Sequence, residues 1–173
     1  MNPGDGGAAL LQALADGDEP IIAVEVRPPP AEVDAGESME AWIDLHHVLR
    51  RFAGGGRFVF VTDNAVGKAE EENLAHLLAN LPEEAPRDRI VPILTSKHEL
   101  DYCLLYAQRA HAAGIEALTV VGGDKNVGAP RCVPHAFQLR DRIRESVPAL
   151  ALGGWANPHR PVVEQADFLT AST

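Results

Sequence analysis

One carboxylate stands inside an apolar segment of the sequence, Glu25 in IIAVEV (21–26). Side chains alternate between the two faces of a strand, so Glu25 shares a face with Ile21 and Ala23. A carboxylate among apolar side chains loses hydration, which favours its protonated form and makes it a candidate general acid near neutral pH. A structural carboxylate neutralised by Arg27, or hydrogen-bonded to a backbone amide, fits the same pattern equally well.

Polar side chains also follow four later apolar segments of the chain. The carboxyl ends of parallel strands share one edge of a sheet, and α/β proteins bind their ligands at that edge. The sequence therefore predicts a polar site that combines Glu25 and Arg27 with residues from the later segments. Those residues are Thr62, Asp63, Asn64, Thr95, Ser96, Asp124, Trp155, Asn157 and His159.

The stretch VVGGDKNVGAP (120–130) predicts a glycine-rich loop after a strand. Glycines allow a planar or phosphorylated ligand to approach the backbone closely. The stretch contains no GxGxxG, and Gly128 is followed by Ala129 rather than by the lysine of a phosphate-binding loop. A tight turn with positive φ angles is therefore the preferred interpretation.

The histidines do not form a metal-binding pattern. His46 and His47 are adjacent and diverge by about 100° on a helix, so they cannot share one ion. His98 precedes Glu99, but Tyr102 stands where the HExxH zinc motif requires its second histidine. We expect no metal site, and no GxSxG or Cys–His pair predicts acyl transfer.

The residues above need a scaffold, and the spacing of the apolar segments predicts one. After IIAVEV come RFVFVT (57–62), IVPILT (90–95), ALTVVG (117–122) and ALALGG (149–154), about 32 residues apart, which is the size of one βα unit. Alternating strands and helices predict a parallel α/β sheet, either an open doubly wound sheet or a closed (β/α)8 barrel. A whole barrel needs about 250 residues, so we expect an incomplete TIM-type barrel, about five units of eight, as a single domain over 1–173.

Helical patterns lie between the strands. AALLQALA (8–15) predicts a short helix that plugs or flanks the first strand, and SMEAWIDLHHVLRRFA predicts a helix that opens at Ser38. The pattern EENLAHLLANL predicts a further helix, whose buried side holds Leu74, Leu77, Leu78 and Leu81.

Two later helices carry end signals. Ser96 lies three residues before Glu99 and predicts a capping box, and Gly114 predicts the end of that helix. The next helix begins near Pro134, a residue that the first turn of a helix accepts. Its inner side is predicted to hold Ala136, Leu139 and Ile143.

The charge of the chain excludes one class of partner. Fifteen basic residues against twenty-five acidic ones give a net charge of −10, which repels phosphate backbones. The only basic cluster, Arg140, Arg142 and Arg144, is interpreted as the solvent side of a helix. We therefore expect no nucleic-acid partner.

The sequence also favours one cellular compartment. No apolar run approaches the roughly 18 residues of a membrane span. The first twenty residues contain no Lys or Arg, unlike a secretory signal. Cys103 and Cys132 form no CxxC pair, which suits a reducing environment. We expect a cytoplasmic protein with no membrane partner.

Five segments together resemble methylenetetrahydrofolate reductases. They are EVRPPP, FVFVTDNAVG, VPILTSKH, VVGGDKNVG and GGWANPHR, and they occur in order from about residue 20 to residue 170. That family is a (β/α)8 barrel of one-carbon metabolism and methionine biosynthesis. It reduces methylenetetrahydrofolate to methyltetrahydrofolate, and its members usually hold FAD, which passes hydride from NADH or NADPH to the folate.

The resemblance implies a role for each matching residue. Glu25 matches the family's acid, which helps to open the one-carbon bridge of the folate to a reactive iminium. Asp124 matches the aspartate of the fourth-strand loop, beside the flavin and the pterin. The cofactor-binding positions of the family are matched by Thr62, Val121, Gly122, Gly123, Trp155 and His159.

The chain also departs from the family pattern. Ile93 stands where the flavin-binding family commonly has histidine, and Gly122 stands where it commonly has arginine. Both changes remove polar contacts to the cofactor, so we expect NAD(P)H as hydride donor and a preparation that is colourless or substoichiometric in FAD. The sixth to eighth strands of the barrel have no counterpart in the sequence.

A rival expectation is a non-catalytic truncated barrel that binds folate weakly or serves as an assembly partner. Five strands tilted as in a barrel cannot close, so the inner face of the first and fifth strands is left bare. Bare faces and unpaired strand edges favour self-association. We expect either a homo-oligomer that covers this face or a chain that is part of a longer protein.

Overall fold

The computed structural model shows an α/β protein with a five-stranded sheet. The strands are β1 (Ala23–Val26), β2 (Phe58–Val61), β3 (Ile90–Thr95), β4 (Ala117–Val121) and β5 (Ala151–Gly153). The helices bounded in the described residues are α1 (Ala9–Asp16), α2 (Ala35–Ala53), α3 (Leu100–Ala112) and α4 (Ala136–Ser146), and a 3-10 turn covers Arg87–Arg89. The structure describes residues 8–17, 20–29, 35–63, 77–78, 81, 85–156, 159, 161 and 163.

The strands lie in sequence order, β1-β2-β3-β4-β5, and every neighbouring pair is parallel. Crossovers between parallel strands are right-handed, so steps that always go in one direction place the connecting helices on one face of the sheet. A doubly wound sheet reverses direction at a switch point and carries helices on both faces. The order of these strands therefore excludes the doubly wound alternative for this sheet.

One face of the sheet packs against the helices, and we call it the helix-covered face. Val24 and Val26 of β1 join the large buried cluster, as do Leu94 of β3 and Leu118 of β4. The helices contribute apolar side chains at helical spacing, because residues three and four apart share one side of a helix. These side chains include Leu45 and Leu49 of α2, Ala107 and Ala110 of α3, and Leu139 and Ile143 of α4.

The opposite side of the sheet is called the open face. Helix α1 packs only against its amino-terminal part, where Phe58, Val91 and Ala117 form a small buried cluster with Ala8. The predicted short amino-terminal helix is found, but the cluster that it joins holds residues of β2, β3 and β4 and none of the first strand, which the helix was predicted to plug or flank. By the strand register, the open face holds Ala23, Glu25, Phe58, Phe60, Val91, Ile93, Thr95, Ala117, Thr119, Val121, Ala151 and Gly153.

The predicted strands are found, with small differences at their ends. IVPILT is a strand over its whole predicted length. Strand β1 begins at Ala23 rather than Ile21, because Ala23 is the residue that pairs with the first residue of β2, Phe58. Strand β5 begins at Ala151 for the same reason, since it pairs with Ala117 at the start of β4.

Two predicted helix starts are wrong. Helix α2 begins at Ala35, three residues before Ser38. Ser96 does not cap α3, whose N-cap is Glu99 without a side-chain hydrogen bond. The Ser96 hydroxyl donates instead to the Gly122 carbonyl, so it ties two loops together.

The other helix predictions agree with the described residues. Gly114 follows α3 with φ of 86°, a conformation that favours glycine, so the predicted end is confirmed. Helix α4 begins at Ala136, and a capping box forms there between His135 and Gln138. Of the helix predicted for EENLAHLLANL, Leu77 and Leu81 are buried in the main core, Leu78 is half-buried, and Leu74 lies outside the described residues.

Candidate active site

Glu25 lies on the open face, as alternation predicts, because Val24 and Val26 on either side of it pack into the helix-covered core. Its strand partner is Phe60. The predicted loss of hydration is wrong, since Glu25 is exposed in the described structure. Among the described residues no ion pair joins Glu25 to Arg27, which is exposed as well. The carboxylate is therefore accessible to a ligand on the open face.

Asp63 connects the carboxyl ends of β2 and β3. Its carboxylate accepts hydrogen bonds from the Thr95 backbone N–H at 2.7 Å and from the Thr95 hydroxyl at 3.0 Å. His98 Nε2 lies 2.8 Å from the same oxygen, and since an ionised carboxylate only accepts, Nε2–H is the donor. The side chains of Asp63 and His98 are only 7% and 11% exposed. This Asp63 cluster (Asp63, Thr95 and His98) is thus a nearly buried polar network at the carboxyl-terminal edge of the sheet.

The glycine-rich loop is held by Lys97, which lies two residues after the end of β3. Lys97, which is 4% exposed, donates from Nζ to the carbonyls of Val127 at 2.6 Å and Ala129 at 2.7 Å. Gly123 and Gly128 have φ of 67° and 74°, so the predicted tight turn with positive φ angles is confirmed. The loop is therefore fixed by a buried lysine that sequence reasoning did not single out.

A second cation covers the start of this loop. The guanidinium of Arg131 donates to the Gly123 carbonyl at 2.6 Å. A Cβ added to Gly122 would lie 2.9 Å from the central carbon of that guanidinium. Arg131 therefore occupies the space that a side chain at position 122 would need. The resemblance implies an arginine at position 122. In this chain Arg131, nine residues later, places its guanidinium beside that position.

The prediction that Arg140, Arg142 and Arg144 form the solvent side of α4 is wrong for Arg140. Arg142 and Arg144 are exposed. Arg140 is 4% exposed, and its guanidinium lies against Gly154, where an added Cβ would be 3.0 Å from Nη1. Burial lowers the pKa of Arg140, and the nearby charge of Arg144 lowers it further. The missing side chain at Gly154 leaves the room that this arginine fills.

The two cysteines meet behind the same edge. The Cys103 thiol is fully buried and donates to the Thr95 carbonyl over 3.7 Å, and the backbone N–H of Cys132 donates to the Ser96 carbonyl at 2.7 Å. The two thiols are free and interact with each other. Burial raises the pKa of Cys103 and, less strongly, that of Cys132. Both thiols are thus protonated at neutral pH and are weak nucleophiles.

The predicted cofactor-binding residues lie at the ends of three strands, β2, β4 and β5. Val121, Gly122 and Gly123 meet the end of β3, since Ser96 N–H donates to the Val121 carbonyl at 2.9 Å. Thr62 meets the end of β1 through a backbone hydrogen bond to the Val26 carbonyl. Trp155 and His159 are exposed after β5, and Asp124, the second predicted catalytic residue, is exposed in the loop after β4. Asn64 and Asn157 lie outside the described residues.

Glu25 and Asp124 belong to elements three strands apart. With neighbouring strands about 4.8 Å apart, the path along the sheet between them is about 14 Å. A strongly curled sheet shortens the distance through space, and a flat sheet does not. Their meeting across the open face therefore stays a prediction.

Metal centres and membrane spans were sought in the same residues. Among the residues with described positions, no three His, Cys, Asp or Glu side chains are placed to hold one metal ion. No helix in that part of the chain is both long and apolar enough to cross a bilayer.

Comparison of the chain with known protein families and with curated proteins gives no match. Any assignment of function therefore rests on the sequence motifs and on the arrangement of the residues described above.

Proposed function

We propose that this chain is a methylenetetrahydrofolate reductase-like oxidoreductase, built on five βα units in the manner of an incomplete TIM barrel. The observation that carries the proposal is the position of Glu25. It is an exposed carboxylate on the open face of a sheet whose strands follow one another in sequence order, as barrel strands do. Polar groups from the ends of β2, β3 and β4 lie along the same edge.

The reaction assigned to this site needs one proton and one hydride. Glu25 donates a proton to the nitrogen that leaves the one-carbon bridge of 5,10-methylenetetrahydrofolate, and the carbon becomes an iminium on the other nitrogen. Reduced nicotinamide supplies the hydride, which converts that iminium to the methyl group of 5-methyltetrahydrofolate. Asp124 provides a negative charge at the loop after β4, where it stabilises the cationic iminium by Coulomb attraction.

Flavin fits the described residues poorly. Ile93 is a buried apolar side chain on the open face, at a position where the resembling family has histidine. The space above Gly122 is filled by Arg131. The glycine-rich loop is already in contact with Arg131 and Lys97, which occupy groups that a flavin would otherwise contact. We therefore assign the hydride to NAD(P)H directly and derive no step through FAD.

The proposal is tested by replacing Glu25. Wild-type protein with 5,10-methylenetetrahydrofolate is expected to oxidise NADH or NADPH. The reaction is measured as the decrease in absorbance of the reduced nicotinamide. Glu25→Gln should lower kcat by about 10²–10⁴-fold, the usual contribution of a general acid, while folate binding measured by calorimetry survives. The matched control is Glu40→Gln, which removes an exposed carboxylate from the surface of α2.

Two results would count against this role. Loss of folate binding with unchanged turnover would make Glu25 a binding group rather than an acid. An inactive wild-type protein with a cooperative thermal transition would favour the rival function, a non-catalytic barrel fragment.

The rival function has one observation of its own in its favour. Strands β1 and β5 are the two edges of the described sheet, and Ala23 and Gly153 are exposed on its open face. Large apolar side chains next to these edges, Ile22 and Trp155, are exposed too. Light scattering at micromolar concentration distinguishes the two: an assembly partner forms dimers or larger species, whereas a stable monomer with a sharp, concentration-independent transition shows that five units suffice.

A further inference from the structure

A cavity of about 460 Å³ opens at the amino-terminal edge of the sheet, the edge opposite the candidate active site. It lies between the end of α1, the residues before β1 and the start of β2. Its apolar wall includes Ile21, Ile22 and Phe58, and both isoleucines are exposed to it and to solvent. The volume is that of an ordinary small-molecule site.

Two arginines line this cavity from neighbouring strands. Arg57 immediately precedes β2 and Arg89 immediately precedes β3, and these strands are paired, with Val59 opposite Ile90. Both side chains are half-buried. In the described part of the chain neither guanidinium forms an ion pair with a carboxylate.

Both guanidiniums contact the protein: that of Arg89 through a hydrogen bond, and that of Arg57 through packing, 6.0 Å from the centre of the Phe52 ring. Arg89 donates from Nη1 to the Gly56 carbonyl at 2.8 Å, and its guanidinium lies 5.0 Å from the centre of the Phe58 ring. Arg57 lies against the backbone of Gly55, where an added Cβ would be 2.8 Å from Nη1. The remaining N–H groups of Arg89 are preorganised donors, which lowers the entropy cost of binding an anion.

The described residues that line the cavity differ in charge from the chain as a whole. Among them, two arginines and one carboxylate, Asp16, give a net charge of +1, while the whole chain carries −10. Both guanidiniums lie beside apolar side chains, so an anion with an apolar body finds charged donors and apolar surface in the same cavity. Asp16 adds an acceptor for a hydroxyl or amine of the same ligand.

We propose that this cavity is a binding site for a small anionic molecule with an apolar body, whose carboxylate or phosphate is held by Arg57 and Arg89. The apolar body contacts Ile21, Ile22 and Phe58. The site is separate from the proposed reductase site and goes beyond it, so each can fail without the other.

The test uses 8-anilinonaphthalene-1-sulfonate, an anionic apolar probe, beside N-phenyl-1-naphthylamine, its counterpart without the sulfonate. Fluorescence titration is expected to show one saturable site per chain for the anionic probe. Arg57→Gln and Arg89→Gln should each weaken that binding by about tenfold, the usual loss for one charge-assisted hydrogen bond. Binding of the neutral probe should be unchanged.

Controls separate this site from general stickiness. Arg142→Gln removes an exposed arginine of α4 that pairs with Glu145 and does not line the cavity, and it should leave the affinity within twofold of wild type. Arg57→Lys and Arg89→Lys keep the charge and should bind the anionic probe more tightly than the glutamine variants do. If a glutamine variant does not fold, the lysine variant at the same position is compared with wild type instead. Displacement by octanoate or by hexyl phosphate then tells whether the site prefers a carboxylate or a phosphate.

The proposal is overturned if the folded glutamine variants bind the anionic probe as tightly as wild type. It is also overturned if the neutral probe loses affinity in parallel, or if the wild-type protein shows no saturable site. A cooperative thermal transition of each variant establishes that the measured protein is folded.

Discussion

The two faces of the sheet differ in what they bury. Among the described residues, the cluster on the helix-covered face contains 21 buried side chains, whereas the cluster under α1 on the open face contains four. Most of the apolar area removed from water is therefore on one side, and hydrophobic stabilisation scales with that area. The other side keeps Glu25 exposed. In this protein stability and candidate chemistry are assigned to opposite faces.

The largest expected effect tests this division directly. Leu94 of β3 is fully buried on the helix-covered face, and Phe60 of β2 is half-buried on the open face. Leu94→Ala should lower the free energy of unfolding by about 3 kcal/mol, because it removes transfer energy and leaves a cavity. Phe60→Ala should cost less, about 1–2 kcal/mol, although it deletes the larger side chain, because that side chain is already partly in water.

Urea unfolding of the two variants and the wild type provides the measurement. If Phe60→Ala costs as much as Leu94→Ala, the open face is covered in solution and the comparison between the faces is wrong. Repeating the series at ten times the protein concentration would then show whether a second copy provides the cover.

The second effect concerns the polar edge that joins the faces. Asp63→Asn replaces an oxygen that accepts from the Thr95 backbone, the Thr95 hydroxyl and His98 by an amide, which can satisfy fewer of these nearly buried donors. We expect a loss of about 2 kcal/mol in the free energy of unfolding. Thr95→Val removes only the hydroxyl and should cost about 1 kcal/mol.

Thermal unfolding ranks the two variants. Equal losses would mean that the backbone and histidine contacts of Asp63 contribute nothing beyond the hydroxyl. A double-mutant cycle between Asp63→Asn and His98→Gln then isolates the carboxylate–imidazole contact from the others.

Sequence reasoning predicted the scaffold more completely than the site. Branched apolar segments at βα spacing gave five parallel strands, and alternation gave the correct face for Glu25. These features depend on local periodicity, which a single sequence carries. The exposure of Glu25 depends on which elements cover a face, and periodicity does not contain that information.

Sequence reasoning missed Lys97 and Arg131 and placed Arg140 on the wrong side of its helix. Arg131 fills the space over Gly122, and Arg140 fills the space beside Gly154, so in each case a cation and a glycine compensate for each other across the fold. Lys97 similarly holds carbonyls about thirty positions away in the glycine-rich loop. The pairing of an absent side chain with a distant long one is visible only in three dimensions. A buried arginine next to exposed ones on the same helix is therefore easily mistaken for part of the solvent side.

An effect smaller than those of Leu94→Ala and Asp63→Asn is the response of the helix-covered face to alkaline pH. Burial raises the pKa of the Cys103 thiol from its ordinary value of 9.0, and burial likewise raises the pKa of Tyr106 from 10.0. Above pH 9 the thiol ionises in the unfolded chain while it stays protonated in the folded one. The unfolded state then binds fewer protons, so the free energy of unfolding falls as pH rises.

For Cys103 this contribution is fully present below pH 9 and amounts to a loss of about 1.4 kcal/mol by pH 10. Cys103→Ala no longer has a thiol to ionise, so its free energy of unfolding should fall by about that much less than the wild type's between pH 8 and pH 10. Chemical denaturation at the two pH values measures both differences, and any constant cost of the substitution cancels. The same fall in both proteins would show that the Cys103 thiol titrates alike in the folded and unfolded chain, and hence that the core behind the Asp63 cluster is open to water.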